Sequence, residues 1–366
     1  MLFQKILPAL VVFLAFGIFA AAQTPTPTPD DTEKIFTEEI KLNVLAFDQS
    51  GNFASGVTKE DLVIMEDGRL HQPSSVRRIP ANVLIVLDVG NEISYAKRNR
   101  ITSETAIALI NYLQAEDSVA VMQYGDKVEF ISEWTTDKKS LVPLLDEKKL
   151  GFGKRSVFNL ALDTAVKFFQ NSPLENRHLI LITDGVDSFN DKNLRDSTIK
   201  NLLSSDINVH VVSYTLLQQT VISGNNSIIK EGEARPQRLP EAVIIALPKD
   251  QQQILRQPRI ISINTDRAMI KKRKEQIANL KSSEQFLTKI AEDTNGEIFL
   301  PSTIEEMVVK MAQVAKIIDS SYVITYVPKR ALSEVIKDEE RIIEVTAKRA
   351  GLQVQAKRKL FVSAKK

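Results

Sequence analysis

Two long apolar runs in this chain end in aspartate. One is Val83-Leu84-Ile85-Val86-Leu87-Asp88, followed by Val89-Gly90-Asn91-Glu92; the other is Leu179-Ile180-Leu181-Ile182-Thr183-Asp184, followed by Gly185-Val186-Asp187. Runs of this kind read as buried strands, and each places a carboxylate at its carboxyl end. If the two strands are neighbours, Asp88 and Asp184 approach each other. Two like charges out of water are costly unless a cation, a hydrogen-bond donor or a proton compensates. A hard divalent ion with oxygen ligands meets that need. For each aspartate alone, capping of the helix or loop that follows is the alternative role.

The elements that must position these residues have a clear rhythm. The apolar runs at Val83 to Leu87, Leu179 to Ile182 and Ile207 to Tyr214, with a strand at Ser118 to Tyr124, alternate with helical patterns through Ile101, Ile107, Ile110 and Leu113 and from Val157 to Phe169. Buried strands alternating with helices specify a parallel sheet covered on both faces, whose ligands meet the loops at the carboxyl ends of the strands. Further strands are read at Val128 to Trp134 and Glu297 to Leu300. Between Tyr214 and the helix at Phe286 to Ala291 the alternation breaks, which marks residues 217–283 as an insertion. It includes a basic helix around Asp266 to Lys281 and carries twelve Lys and Arg against six Asp and Glu.

Both ends of the chain are strand-like. Ile40, Leu42, Val44 and Ala46 alternate on one face, Thr58-Lys59-Glu60-Asp61 can cap a helical turn, and Asp67-Gly68 closes a hairpin after Leu62 to Met65. Tyr322 to Val327, Arg341 to Ala347 and Gln353 to Val362 alternate in the same way. Neither end is long enough to bury a core alone. Residues 35–80 and 321–366 are therefore expected to pack as one accessory β unit, with 81–320 inserted between them.

Residues 1–22 open with Lys5, run apolar from Ile6 to Phe19 and end in Ala20-Ala21-Ala22, the layout of a secretory signal peptide. The run is shorter than the roughly 20 residues that span a bilayer, so no membrane span is expected after cleavage. A Thr/Pro-rich linker over 23–34 follows. The chain is thus expected to be exported to a periplasmic, cell-surface or extracellular location. With no cysteine among its 366 residues, disulfide scaffolds, zinc ribbons, iron–sulfur clusters and thiol nucleophiles are excluded. Lys and Arg number 48 against 46 Asp and Glu, leaving no global field to drive nucleic-acid binding.

Several weaker motifs dissolve on inspection. Gly151-Phe152-Gly153-Lys154-Arg155-Ser156 is not a phosphate loop, because Lys148 stands where the first glycine is required. His71, His178 and His210 are scattered, and no nucleophile elbow accompanies them. Lys271-Lys272-Arg273-Lys274 reads as a solvated helix face. Asp184, Asp187 and Asn190 lack the spacing of a calcium loop.

From about Ala81 to Asp319 the chain resembles the von Willebrand factor type A domain, through the strand ending in Asp88 and the signature Leu181-Ile182-Thr183-Asp184-Gly185. Its flanks are similar to exported bacterial proteins related to that domain, through Val57-Thr58-Lys59-Glu60-Asp61, Glu66-Asp67-Gly68 and the strands at Tyr322 and Arg341. The resemblance implies a doubly wound, Rossmann-like, mostly parallel α/β sheet of order 3-2-1-4-5-6. It also implies a metal-ion-dependent adhesion site, in which an Asp-x-Ser-x-Ser loop, a Thr and a second Asp hold magnesium or manganese. Asp88 and Asp184 match the two aspartates and Ser156 stands at the Thr position, but Gly90 and Glu92 replace the two serines. Either Glu92 ligates an ion itself, or Lys154 and Arg155 reach the acids and replace the ion by an ion pair. The flanking positions are Gly90, Asn91, Lys154, Arg155 and Asp187. The function expected from this is binding rather than catalysis: a module for a protein ligand, meeting it at a degenerate adhesion site, or an envelope component that uses the insertion.

Overall fold

The computed structural model describes residues 38–90, 99–189, 191–224, 267–357 and 359–364. The expected signal peptide and linker lie outside them, as do Asn91 and Glu92. The central sheet has six strands: β5 (Asn82–Asp88), β6 (Ser118–Tyr124), β7 (Val128–Thr135), β8 (Arg177–Thr183), β9 (Asn208–Ser213) and β10 (Ile298–Phe299). They lie in the order β10-β9-β8-β5-β6-β7, and all pairs are parallel except β6 with β7. Numbered within this sheet, that is the expected 3-2-1-4-5-6. Every residue of β5 is buried, as strands covered on both faces require. One face packs on α1 (Asn99–Tyr112) and α7 (Ile304–Asp319), the other on α3 (Phe158–Gln170) and α6 (Arg267–Asp293), and the one-turn α2 (Lys138–Leu141) follows β7.

The remaining strands form two antiparallel sheets of four. β1 (Ile40–Phe47) lies between β13 (Gln353–Ala356) and β11 (Ser321–Tyr326), with β4 (Ser75–Arg77) beyond β11. The second sheet runs β14 (Lys359–Val362), β12 (Glu339–Ala347), β2 (Leu62–Glu66), β3 (Arg69–His71). Ile40, Leu42, Val44 and Ala46 share a core with Leu62, Ile64, Ile343 and Leu360, so the two sheets stack on residues from both ends of the chain. The β2–β3 hairpin turns on Asp67 (φ 49°) and Gly68 (φ 75°), the left-handed pair that a tight two-residue hairpin demands. Gln353 to Val362 is not one strand. It breaks at Lys357, which is buried and donates its ammonium to the carbonyls of Leu203 (2.5 Å) and Ser205 (2.5 Å), at the end of α4 (Lys192–Leu203).

β1 is buried on both faces. Leu45 enters the core of the six-stranded sheet, and the Asn43 amide donates to the Asp206 carbonyl at 3.0 Å. The expected insertion 217–283 is helical at both ends. α5 (Thr215–Gly224) follows β9 directly, and α6 runs without a break through Ser283 into the segment read as a separate helix at Phe286. Nothing between Lys281 and Phe286 is a helix breaker, and the Ser283 hydroxyl is engaged in the fold, as described below.

A buried polar chain crosses the amino edge of the central sheet. The Glu297 amide donates to His210 Nδ1 (3.3 Å), His210 Nε2 faces His178 Nδ1 (3.1 Å), His178 Nε2 faces Asn176 Oδ1 (3.0 Å), and the Ser321 hydroxyl donates to the same Asn176 oxygen (2.9 Å). Because the amide at one end can only donate, each imidazole must accept on Nδ1 and donate from Nε2, so both tautomers are fixed and both rings are neutral. Burial pulls His210 down to about 4 and His178 well below its ordinary value, with His210 adding to the latter. The unfolded chain takes up both protons near pH 6.5, while the folded chain takes up that of His210 only near 4 and resists protonation of His178 well below the ordinary range, so stability is complete above about pH 6.5 and falls as pH drops below it. His210 alone is expected to contribute a loss of about 3 kcal/mol. Denaturant unfolding at pH 7.5, 6 and 5 checks this: the native slope should flatten in His210→Gln, and equal slopes would refute it.

Candidate functional site

The register of β5 with β8 sets Leu87 opposite Ile182, which brings Asp88 and Asp184 to the same carboxyl edge. Asp88 is 1% exposed and Asp184 0%. Neutral donors surround both. Asp88 Oδ1 accepts from the Gly90 amide (3.0 Å) and Oδ2 from the Thr183 hydroxyl (3.0 Å). With its proton given to Asp88, Thr183 Oγ1 accepts from the Tyr124 phenol (2.6 Å) and the Gly185 amide (2.7 Å). Asp184 Oδ1 accepts from the Val186 amide (3.0 Å), Oδ2 from Gln218 Nε2 (3.0 Å) on α5, and its main-chain oxygen from the Ser283 hydroxyl on α6. Burial first, and then the charges of Asp88 and Asp184, hold the Tyr124 and Tyr214 phenols well above their ordinary range, so both keep their protons.

Three glycines close the loops over this edge. A Cβ on Gly90 would lie 2.7 Å from the Arg155 carbonyl, and one on Gly125 2.9 Å from Gly153 Cα. The absence of side chains lets the Gly153 amide reach the Val89 carbonyl (3.2 Å) and the Val157 amide the Gly125 carbonyl (3.1 Å). The loop carrying Ser156 therefore lies flat on the strand ends. Ser156 is buried, its amide donates to Ser188 Oγ (2.7 Å), and its own hydroxyl has no hydrogen-bond partner among the described residues. Asp187 caps the start of α3, accepting the Asn159 amide (2.8 Å) on Oδ2 and the Phe189 amide (2.9 Å) on Oδ1.

Lys154 and Arg155 do not neutralise the acids. Their side chains are exposed and their amides bind the two oxygens of Asp126 (3.1 and 2.9 Å), while the Arg155 guanidinium stands over the Phe189 ring, 5.2 Å from its centroid. The ion-pair reading is thus corrected: the glycine clasp turns the loop's carbonyls inward and its long side chains to water. Thr183, backed by Tyr124, and Gln218 do that work instead. The tyrosines close apolar runs just as the aspartates do, which is a legible signal; Gln218, on a helix read as irregular, carries none.

A magnesium or manganese ion wants about six oxygens in a near-octahedral shell. Among the described residues the side-chain set is Asp88, Ser156 and Asp184; Gly90 brings no oxygen, and the Arg155 carbonyl leaves no room for a serine there. The four carboxylate oxygens already face protein donors, and no group of three or more histidine or acidic residues able to hold a metal forms among the described residues. Ser156 Oγ is left over, and it is one ligand of six. Glu92, the other candidate ligand, lies outside the described residues; the described ones alone do not fit the ion.

Two outcomes follow. Calorimetric titration of magnesium or manganese into chelator-stripped protein should show no saturable heat; tight binding abolished by Asp184→Ala would refute the misfit. Thr183→Val strips a donor from Asp88 and an acceptor from both Tyr124 and Gly185, and should cost about 3 kcal/mol in urea unfolding, whereas a loss under about 1 kcal/mol would show the network to be dispensable.

Residues 83–186 match the family model described as von Willebrand factor type A domain. The sequence matches no curated protein. Among solved structures, an aerotolerance-related membrane protein from Bacteroides fragilis shares 17% identity over 64% of this chain and 98% of its own (TM-score 0.39). BatB from Bacteroides thetaiotaomicron shares 18% over 64% and 99% (0.35), and a von Willebrand factor type A protein from Catenulispora acidiphila 10% over 90% and 75% (0.42). The family match spans the strand that ends in Asp88, the loop of Ser156 and the turn after Asp184, and this chain carries a von Willebrand factor type A domain.

Proposed function

We propose that the chain is an exported binding module that meets a protein partner at the carboxyl edge of the six-stranded sheet, without a bridging metal. The observation that carries this reading is the contrast between the floor and the rim of that edge. The floor is sealed, with Asp88 and Asp184 saturated by neutral donors. On the rim Phe152 is 68% and Phe189 57% exposed, with Lys154 and Arg155 beside them. Aromatic and arginine side chains grouped on a rigid base are the composition of interaction hot spots. In this reading the acid pair positions the loops and the loops bind, so the adhesion site is degenerate in chemistry while keeping its place.

Binding is favoured over catalysis because the alcohol–carboxylate pair of the site, Thr183 with Asp88, is closed to solvent and already fully hydrogen-bonded. Export rests on the leader-like residues 1–22; no helix among the described residues is long and apolar enough to cross a membrane. A second reading, an envelope component that works through the insertion, is favoured by α6, whose residues from Arg267 to Ser282 continue about 24 Å past Ser283 and expose Lys271, Lys272 and Lys274.

Site-specific photo-crosslinking separates the two. A benzoylphenylalanine at Phe152 or Phe189, used in envelope fractions of the source organism, should yield an adduct with one protein that is absent when the probe is at Lys272. An adduct from Lys272 alone would overturn the rim in favour of the insertion.

A further inference from the structure

Two arginines at this edge are held in place with no acid to bind among the described residues. Arg155 stands over Phe189, and Arg195, on the first turn of α4, stands over Phe286 with its guanidinium carbon 5.4 Å from the ring centroid. Stacking on an aromatic face restricts the side chain and leaves the planar fork of N–H groups available. Among the described residues neither guanidinium has a carboxylate partner, whereas Arg77, Arg78, Arg177, Arg330 and Arg341 each hold one. The acids on the same loops are otherwise occupied: Asp126 accepts the Lys154 and Arg155 amides, Asp187 those of Asn159 and Phe189, and Asp191 that of Leu194. Asp196 follows Arg195 directly, and consecutive helical residues do not face each other.

Building on the binding reading above, we propose that Arg155 and Arg195 form a carboxylate-recognising pair for an acidic segment of the protein partner, with Phe152 as the apolar anchor. A guanidinium already stacked loses little further freedom when it takes a carboxylate in bidentate fashion, and no ion pair of the free protein has to be broken first. A protein is favoured over an anionic membrane because Asp126, Asp191 and Asp196 are exposed among the cations. A flexible acidic peptide can set its side chains on the arginines and clear of these carboxylates, while a uniformly negative lipid plane cannot avoid them.

The test is fluorescence anisotropy of a fluorescein-labelled octaglutamate peptide with the whole chain at low salt, beside an octaglutamine control. Octaglutamate should bind and octaglutamine should not. The double variant Arg155→Gln/Arg195→Gln should lose about tenfold or more in affinity, the size of a lost charge-assisted hydrogen-bonded pair. Lys271→Gln/Lys272→Gln/Lys274→Gln on α6 should stay within about twofold of the parent. Both sets of side chains lie at the surface, and an unchanged melting temperature certifies the fold. The proposal is overturned if the lysine variant takes the loss, or if phosphatidylglycerol vesicles rather than the peptide bind in an arginine-dependent way. Crosslinking from Phe152 keeps the two levels apart: an adduct that survives the double arginine change leaves the binding face standing and removes the carboxylate pair.

Discussion

Two carboxylates sealed at the end of a parallel sheet have to be compensated by something other than water, and in this chain the compensation is a set of neutral hydrogen-bond donors. Much of the surrounding architecture answers to that need. The Thr183 hydroxyl can serve Asp88 only because Tyr124 and the Gly185 amide fill its lone pairs. Gln218 reaches Asp184 only if a helix starts directly after β9, and Ser283 reaches its carbonyl only if α6 runs on unbroken. The acids thereby recruit two helices to their own edge of the sheet. A hydrogen-bonded network that ties two strand ends to two helices is rigid, and rigidity is what a loop platform requires.

The opposite edge is held by polar chemistry of another kind. There the two-faced strand β1 gives its apolar alternation to the sandwich and offers Asn43 and Leu45 to the central domain. Lys357 closes the last turn of α4 from the sandwich side, and Ser321 joins β11 to the histidine chain. The junction is specified by directional groups and the interiors by apolar ones, so each part keeps its own core while their mutual register is defined.

What could be read in the sequence was whatever depends on period and on strand ends. Continuous apolar runs announced β5 and β8, their terminal aspartates announced the edge at which they meet, and the helical patterns between them announced the parallel connections; the strand order was implied by the resemblance to the von Willebrand factor type A domain. What could not be read depends on close approach between distant segments. Gly90, taken as a missing ligand, is required by the Arg155 carbonyl lying where its side chain would be. Lys154 and Arg155 read as cations within reach of the acids, and the same clasp turns them away. The break at Lys357 was hidden because the stretch keeps its alternation while a buried lysine redirects it. Gln218 was invisible, since a glutamine on an irregular-looking stretch has no period to break.

The pairing of β1 with β11 has a consequence for how such a chain reaches its native state. Ile40 pairs with Tyr326, so the first strand of the sandwich finds its partner only after the whole central domain has been made. Closing so long a loop is slow when the intervening chain is unfolded, and the cost falls sharply once the central domain has condensed and brought its ends together. Until then β1 is an exposed strand edge with apolar residues on both faces, prone to pair with another copy of itself. A chain threaded through a membrane from its amino end would present that strand first and its partner last, leaving a long interval in which a chaperone has something to hold.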